Sequence, residues 1–186
     1  MKKFQFLTFA LFATSLLFTA CEQDDPEIPN EEEVITTLNY TLTPEGGGAE
    51  VTMRFEDLDG DGGNAPEITG GTLAANTTYR GSLELLNEQE SPAEDITEEV
   101  AEEDDEHQFF FSTTLNGVTV SYDDTDGDGN PVGLSTLITT GDADSGNFTV
   151  TLRHEPDKGA DGVADGKIDN AGGETDIEVT FPVEVQ

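Results

Sequence analysis

Two histidines and three acidic loops hold most of the chemistry this chain could perform. His107 follows Glu106 at the end of an acidic run and opens the stretch Gln108-Phe109-Phe110-Phe111, and His154 closes Thr149–Arg153 and precedes Glu155. No other histidine occurs in the 186 residues. Two imidazoles with one or two carboxylates suit zinc or another divalent transition metal. Glu106, His107, His154 and Glu155 are therefore a candidate transition-metal set, provided the fold brings them together; otherwise the two histidines are strand ends a sandwich width apart. The loops suggest a harder ion. Asp57-Leu58-Asp59-Gly60-Asp61-Gly62 and Asp124-Thr125-Asp126-Gly127-Asp128-Gly129 each set alternate carboxylates on a curling backbone, which lets them converge on one cation. Asp157, Asp161, Asp165 and Asp169 follow at intervals of four, two of them before Gly. Candidate calcium ligands are thus Asp57, Asp59, Asp61, Asp124, Asp126, Asp128, Asp157, Asp161 and Asp165. Asp-Gly is also ordinary turn chemistry, and the loops could be no more than that.

The first two loops resemble the start of an EF-hand loop. Position twelve, a bidentate Glu in that motif, is Ile68 in one and Ser135 in the other, and no helices flank either. Calcium would need fewer ligands or borrowed ones, such as Glu67. The third loop resembles the Asp-Gly calcium repeats of surface proteins. No nucleophile elbow, paired-cysteine site, phosphate loop or basic aromatic stripe is present, so no enzyme is expected.

The amino terminus speaks to location. Met1-Lys2-Lys3, an apolar run from Phe4 to Phe18 and Thr19-Ala20 precede Cys21, the only cysteine. This is a secretory signal pattern, with an apolar run short for a membrane span. Residues 17–21 resemble a bacterial lipobox, with Phe18 where Leu is usual. The resemblance implies cleavage after residue 20 and a lipid on Cys21 that anchors the chain in the bilayer; a retained signal anchor is the alternative. Glu22-Gln23-Asp24-Asp25 resembles the acidic surface-export tag of Bacteroidota lipoproteins, or else simply begins an acidic tether over 21–33. Residues 34–186 then form one domain. Without residues 1–20, five basic residues face 41 acidic ones, a net charge of −36 on 166 residues. Such a chain repels nucleic acid and attracts divalent cations or a basic partner. With Cys21 lipidated there is no disulfide to help it fold.

These residues must be positioned by strands. Leu38/Tyr40/Leu42, Val51/Met53/Phe55, Val118/Val120/Tyr122, Phe148/Val150/Leu152 and Ile177/Val179/Phe181/Val183 alternate with polar residues. The pattern predicts about eight strands, over 35–42, 49–55, 77–86, 108–114, 117–122, 134–140, 147–153 and 174–184, in an all-β antiparallel sandwich. Gly46-Gly47-Gly48 breaks the first pair, and Asn116-Gly117 predicts a tight hairpin. Ser91-Pro92-Ala93-Glu94 reads as a capping box that starts a helix over 92–103, with Ala93, Ile96 and Val100 on its apolar face. The acidic residues Glu102–Glu106 crowd its unfavourable end, where a cation would help. Counting strands in alternation puts His107, His154 and the loops 123–130 and 155–172 at one pole, and the loop 57–67 at the other.

Leu73-Ala74-Ala75-Asn76-Thr77-Thr78-Tyr79 is similar to the fibronectin type III pattern, which implies an Ig-like sandwich with a tyrosine corner in which Tyr79 bonds backbone near Leu73. The Glu-His-Gln-Phe-Phe stretch and the Gly-Gly-Glu-Thr-Asp-Ile segment near the end resemble Bacteroidota surface lipoproteins found beside TonB-dependent receptors. Some of these are labelled type 1 periplasmic binding fold, whose two α/β lobes this period-two pattern does not supply. The resemblance implies an outer-membrane, surface-exposed accessory protein that captures a metal ion or small solute for such a receptor, and a monomer is expected. The alternative is a calcium-stabilised structural or adhesive module with no transported ligand.

Overall fold

A computed structural model describes residues 33–60 and 62–186. The signal segment, Cys21, the tether as far as residue 32, and Asp61 lie outside the described residues. The chain forms β1 (Thr37–Pro44), β2 (Val51–Glu56), β3 (Glu67–Thr69), β4 (Gly71–Leu73), β5 (Thr78–Asn87), β6 (Glu94–Asp95), α1 (Ile96–Glu102), β7 (His107–Thr113), β8 (Thr119–Tyr122), β9 (Ser135–Thr139), β10 (Asp144–His154) and β11 (Glu174–Val185). One sheet has the order β3-β2-β1-β5-β9-β8 with β6 on β5, and the other β4-β11-β10-β7. This is the all-β sandwich that the alternation predicts, and each of the eight expected strands is present.

The inner faces share one core. Leu38, Tyr40, Leu42, Met53, Leu83 and Leu85 come from the first sheet, and Phe109, Phe148, Val150, Leu152, Val179 and Phe181 from the second. Leucines and β-branched residues at every second position give each strand a buried face; the intervening threonines pair across the outer faces, as Thr41 does with Thr52 and Thr149 with Thr180. The tyrosine corner is built as expected, with the Ala74 N–H donating to Tyr79 Oη at 2.8 Å.

Four local expectations change. Asn116-Gly117 is a turn, with Gly117 at φ 71°, but it joins β7 to β8 in the opposite sheet, so no hairpin forms. The helix starts at Ile96, capped by the Asp95 side chain on Thr97 N, because Glu94–Asp95 pair with Asn87 and Leu86 of β5 instead. Ile96 and Val100 are buried as predicted; Ala93 stands exposed before the helix. β4 runs parallel to β11, the one non-antiparallel pair among the described strands.

The fourth change alters the poles. β3 and β4 are separated by a single residue, Gly70, and together act as one strand that leaves the first sheet beside β2 and enters the second beside β11. Three-residue pieces with no clear alternation leave no periodic signal. Counting this strand reverses the direction of everything after β2. The loop after β2 therefore lies at the pole where β1 begins, with the Asp57 N–H donating to Thr36 O at 2.8 Å, and this is also the pole of His107. All three acidic loops share one end with the histidines.

At Gly70 the switching strand crosses close over β11, and a Cβ there would overlap the Pro182 carbonyl oxygen. Gly70→Ala is expected to cost about 1–3 kcal/mol of stability through this overlap. The check is the denaturation midpoint; an unchanged midpoint with unchanged slope would show that the crossing yields freely.

Candidate metal centre

His107 and His154 are cross-strand partners. The antiparallel register of β7 and β10 sets Phe109 opposite Leu152 and, two residues on, His107 opposite His154. Because side chains two apart share a face, both rings continue the core-facing rows at the end of the sandwich. They stack with centroids 4.5 Å apart and an interplanar angle of 26°. Their side chains are 0% and 5% exposed.

Two carboxylates complete the group. The pairing of β10 with β11 slips between Leu152/Ile177 and Arg153/Thr175, which leaves Asp176 as the extra residue of a bulge. Strict alternation with Ile177 and Val179 would send Asp176 outward; a bulge re-aims a side chain. Its carboxylate is fully buried, with Oδ1 3.8 Å from His154 Nδ1 and Oδ2 4.0 Å from His107 Nε2. The fourth member is Glu33, ahead of β1 on the other sheet. Its Oε1 lies 2.9 Å from His107 Nε2. Donor atoms of Glu33, His107, His154 and Asp176 all fall within 4.8 Å of one another. Four donors about 2.0–2.1 Å from one ion would stand about 3.3 Å apart, so the group needs only small shifts to hold one. A buried group of two imidazoles and two carboxylates that could hold a metal ion is therefore present.

The electrostatics point the same way. His107 Nδ1 lies 3.1 Å from the Glu103 carbonyl and donates its proton there, which leaves Nε2 of the neutral ring an acceptor. Nε2 then faces the Glu33 carboxylate, acceptor against acceptor, at 2.9 Å. The approach lacks hydrogen-bond geometry, and Nε2 and Glu33 Oε2 are buried without a hydrogen-bond partner among the described residues. Such a pair requires a positive charge. Without a metal, a proton supplies it: burial works to lower the His107 pKa, but the Glu33 carboxylate, the Glu103 carbonyl and the Asp176 charge outweigh burial and raise it. Burial likewise works to raise the Glu33 pKa, and the His107 contact and charge prevail and lower it.

Of the expected carboxylates, Glu106 borders the four-donor group and Glu155 lies outside it. Glu106 Oε2 is 3.8 Å from His154 Nε2 with its side chain 49% exposed, on the outer side of that ring. Glu155 is exposed, at φ 49°. Neither belongs to the converging group; Glu33 and Asp176 take those places. Asp176 was within reach of the strand count, since β11 starts at the histidine pole, but alternation aims it outward. Glu33 was hidden by the missing strand, which placed the start of β1 at the wrong end.

The calcium candidates are largely engaged with their own loops. Asp57 accepts from Gly60 N and Asp59 from Asn64 N and Nδ2. Asp124 accepts from Gly133 N and Ser135 N, each at 2.8 Å. Asp126 accepts from Asp128 N, Asn130 N and the ammonium of Lys158, which is itself buried and also donates to the Asp104 and Pro131 carbonyls. Burial works to raise the Asp126 pKa, but the Asn130 and Lys158 contacts override it and lower it. In the second loop the cation beside the carboxylate is thus a lysine. Asp128, Asp161 and Asp165 are exposed, and Asp157 accepts from Gly159 N.

The pKa directions make a signed prediction for the metal-free protein. The lowered Glu33 contributes stability above the ordinary glutamate range, lost as pH falls through its folded pKa; the raised His107 contributes stability below the ordinary histidine range, lost as pH rises through its folded pKa. The pair's full contribution therefore spans about pH 4.3 to 6.5. Metal-free protein should lose stability as pH rises from about 6.5, and Glu33→Gln should flatten that loss. With metal present the sign inverts, since the ligands must shed protons and the stabilisation grows with pH. Denaturation midpoints across pH, with and without chelator, read both slopes.

Comparison with protein-family models, with curated proteins and with solved structures finds no match, so the functional reading rests on the geometry of this centre.

Proposed function

We propose that this chain is a lipid-anchored surface protein whose domain captures one divalent transition metal ion, in the first instance zinc, on Glu33, His107, His154 and Asp176, and presents it to an outer-membrane receptor. The observation that carries the metal reading is His107 Nε2: buried, lacking a hydrogen bond, and held by the Glu103 carbonyl in the tautomer that offers its lone pair to a cation. The donor set selects the class of ion. Two nitrogens disfavour calcium and magnesium, the absence of a thiolate disfavours copper(I), and two carboxylates balance a divalent charge in a buried site. Capture is supported by the core. It is continuous across both sheets, and a domain of this size can fold on such a core.

A second reading, in which the metal is a permanent staple, is favoured by one feature: the four donors are nearly closed to water, as in structural zinc sites. Removing the metal separates the two. A captured ion leaves a folded protein that reloads, whereas loss of a staple leaves an unfolded one.

The expected result is one equivalent of zinc bound per chain, with calcium unable to displace it. At a hundredfold excess over Kd, zinc should stabilise by about 2.7 kcal/mol, a rise in Tm of roughly 5–10 °C. His107→Ala combined with His154→Ala should remove zinc binding and the zinc-dependent rise together; zinc bound undiminished by that double variant would end the assignment. For the anchor, Cys21→Ser should release the protein from the membrane fraction. A variant that stays membrane-bound and normally processed would overturn it.

A further inference from the structure

The four donors are not held alike. His107 and His154 sit opposite each other in the β7–β10 ladder, and Asp176 lies in β11 between residues paired to β10. All three belong to one four-stranded sheet, and the backbone at none of them can lift away without breaking strand pairing. Glu33 belongs to no strand. Among the described residues, its segment makes its first backbone bond to the sandwich at Thr36, whose N–H and hydroxyl donate to Leu86 O and whose hydroxyl accepts from Glu88 N. Between Glu33 and Thr36, Val34 is 52% exposed, while Ile35 is half-buried against the edge of the core. Yet the Glu33 carboxylate is 5% exposed and presses on His107 Nε2 from the side of the other sheet.

We propose that Glu33 is the exchangeable ligand of the centre: the metal arrives and departs when the Glu33 segment lifts away, while His107, His154 and Asp176 remain as a fixed three-donor platform. This deepens the metal-capture reading and rests on it. Elements with few backbone bonds open at lower cost than paired strands. Among the described residues, lifting Glu33 draws Ile35 from the edge of the core but breaks no strand pairing, which begins at Thr37. The ion is then left with two nitrogens, one carboxylate and a vacant position, the arrangement in which zinc accepts a new ligand. An incoming donor from a chelator or a receptor takes that position, and the ion passes by ligand substitution with no change in its oxidation state.

Glu106 marks a rival path. Glu106 stands half exposed, 3.8 Å from the outer nitrogen of His154, and metal could pass beneath it instead. The experiment compares the two with zinc alone as the probe, using the full chain and its Glu33→Ala, Glu33→Gln and Glu106→Gln variants. Zinc binding is followed by stopped-flow, and zinc loss by transfer to an excess of a chromophoric chelator. In the wild-type chain the observed binding rate should level off with rising zinc, because lifting of Glu33 limits it. In Glu33→Ala it should rise linearly and exceed the wild-type plateau. Zinc loss should accelerate by at least about tenfold, since even groups that only orient metal ligands are worth 10–100-fold. Glu33→Gln keeps the side chain's size and its place in the fold but ligates weakly, so it should follow Glu33→Ala if ligation is what gates. Glu106→Gln should behave as wild type. A wild-type rate that stays linear and matches Glu33→Ala would overturn the proposal, as would a Glu106→Gln variant that alone speeds exchange. A wild-type chain that takes up no zinc fails differently, because it removes the capture reading itself.

Discussion

The register that sets His107 opposite His154 governs this end of the molecule. Two imidazoles on the core-facing rows of neighbouring strands cannot be solvated as surface histidines are. The positions around them are filled by polar groups brought from elsewhere: the Glu103 carbonyl from the turn after α1, the Asp176 carboxylate from a bulge in β11, and the Glu33 carboxylate from the segment leading into β1. Both sheets and the helix are thereby drawn to one point. Polar groups buried so fully are costly unless they are paired, and a cation, whether proton or metal, is the partner that two carboxylates and a lone pair require.

Charge is managed at the same end. A chain of net charge −34 gathers its three acidic loops around one pole, an arrangement that repels itself. Lys158 answers part of this from within. Its ammonium joins Asp126 to the Asp104 and Pro131 carbonyls and so ties together the turn that follows α1, the loop after β8 and the loop after β10. The turn it fastens is the one that lends the Glu103 carbonyl to His107. Beneath the third loop, Val163 and Ala171 pack on Phe110, and Gln108 donates to Val163 O. A segment rich in Asp and Gly is thus seated by a small apolar underside and one lysine, which explains how it can carry many exposed carboxylates and still hold a fixed shape.

The alternation of apolar residues determines by itself that the protein is a β-sandwich, eight of its strands and much of its core, because a half-buried strand of ordinary length cannot hide its period. Parity carried further: His107 and His154 stand an odd number of strand reversals apart, with one at a strand start and the other at a strand end, so they meet at one pole whether or not an earlier strand is missed. The identity of the other two donors was decided only by the tertiary structure. Glu33 depended on β3–β4, a strand too short and too interrupted at Gly70 to show a period, and its omission sends the start of β1 to the wrong end. Asp176 depended on a one-residue slip in the β10–β11 ladder, which turns an outward position inward. The helix start was decided likewise, since Ser91-Pro92-Ala93-Glu94 has the residues of a cap, yet Glu94–Asp95 gain more from pairing with β5. Local pattern records what a residue buries; which residues then meet is set by strand count and register, and those are properties of the closed sheets.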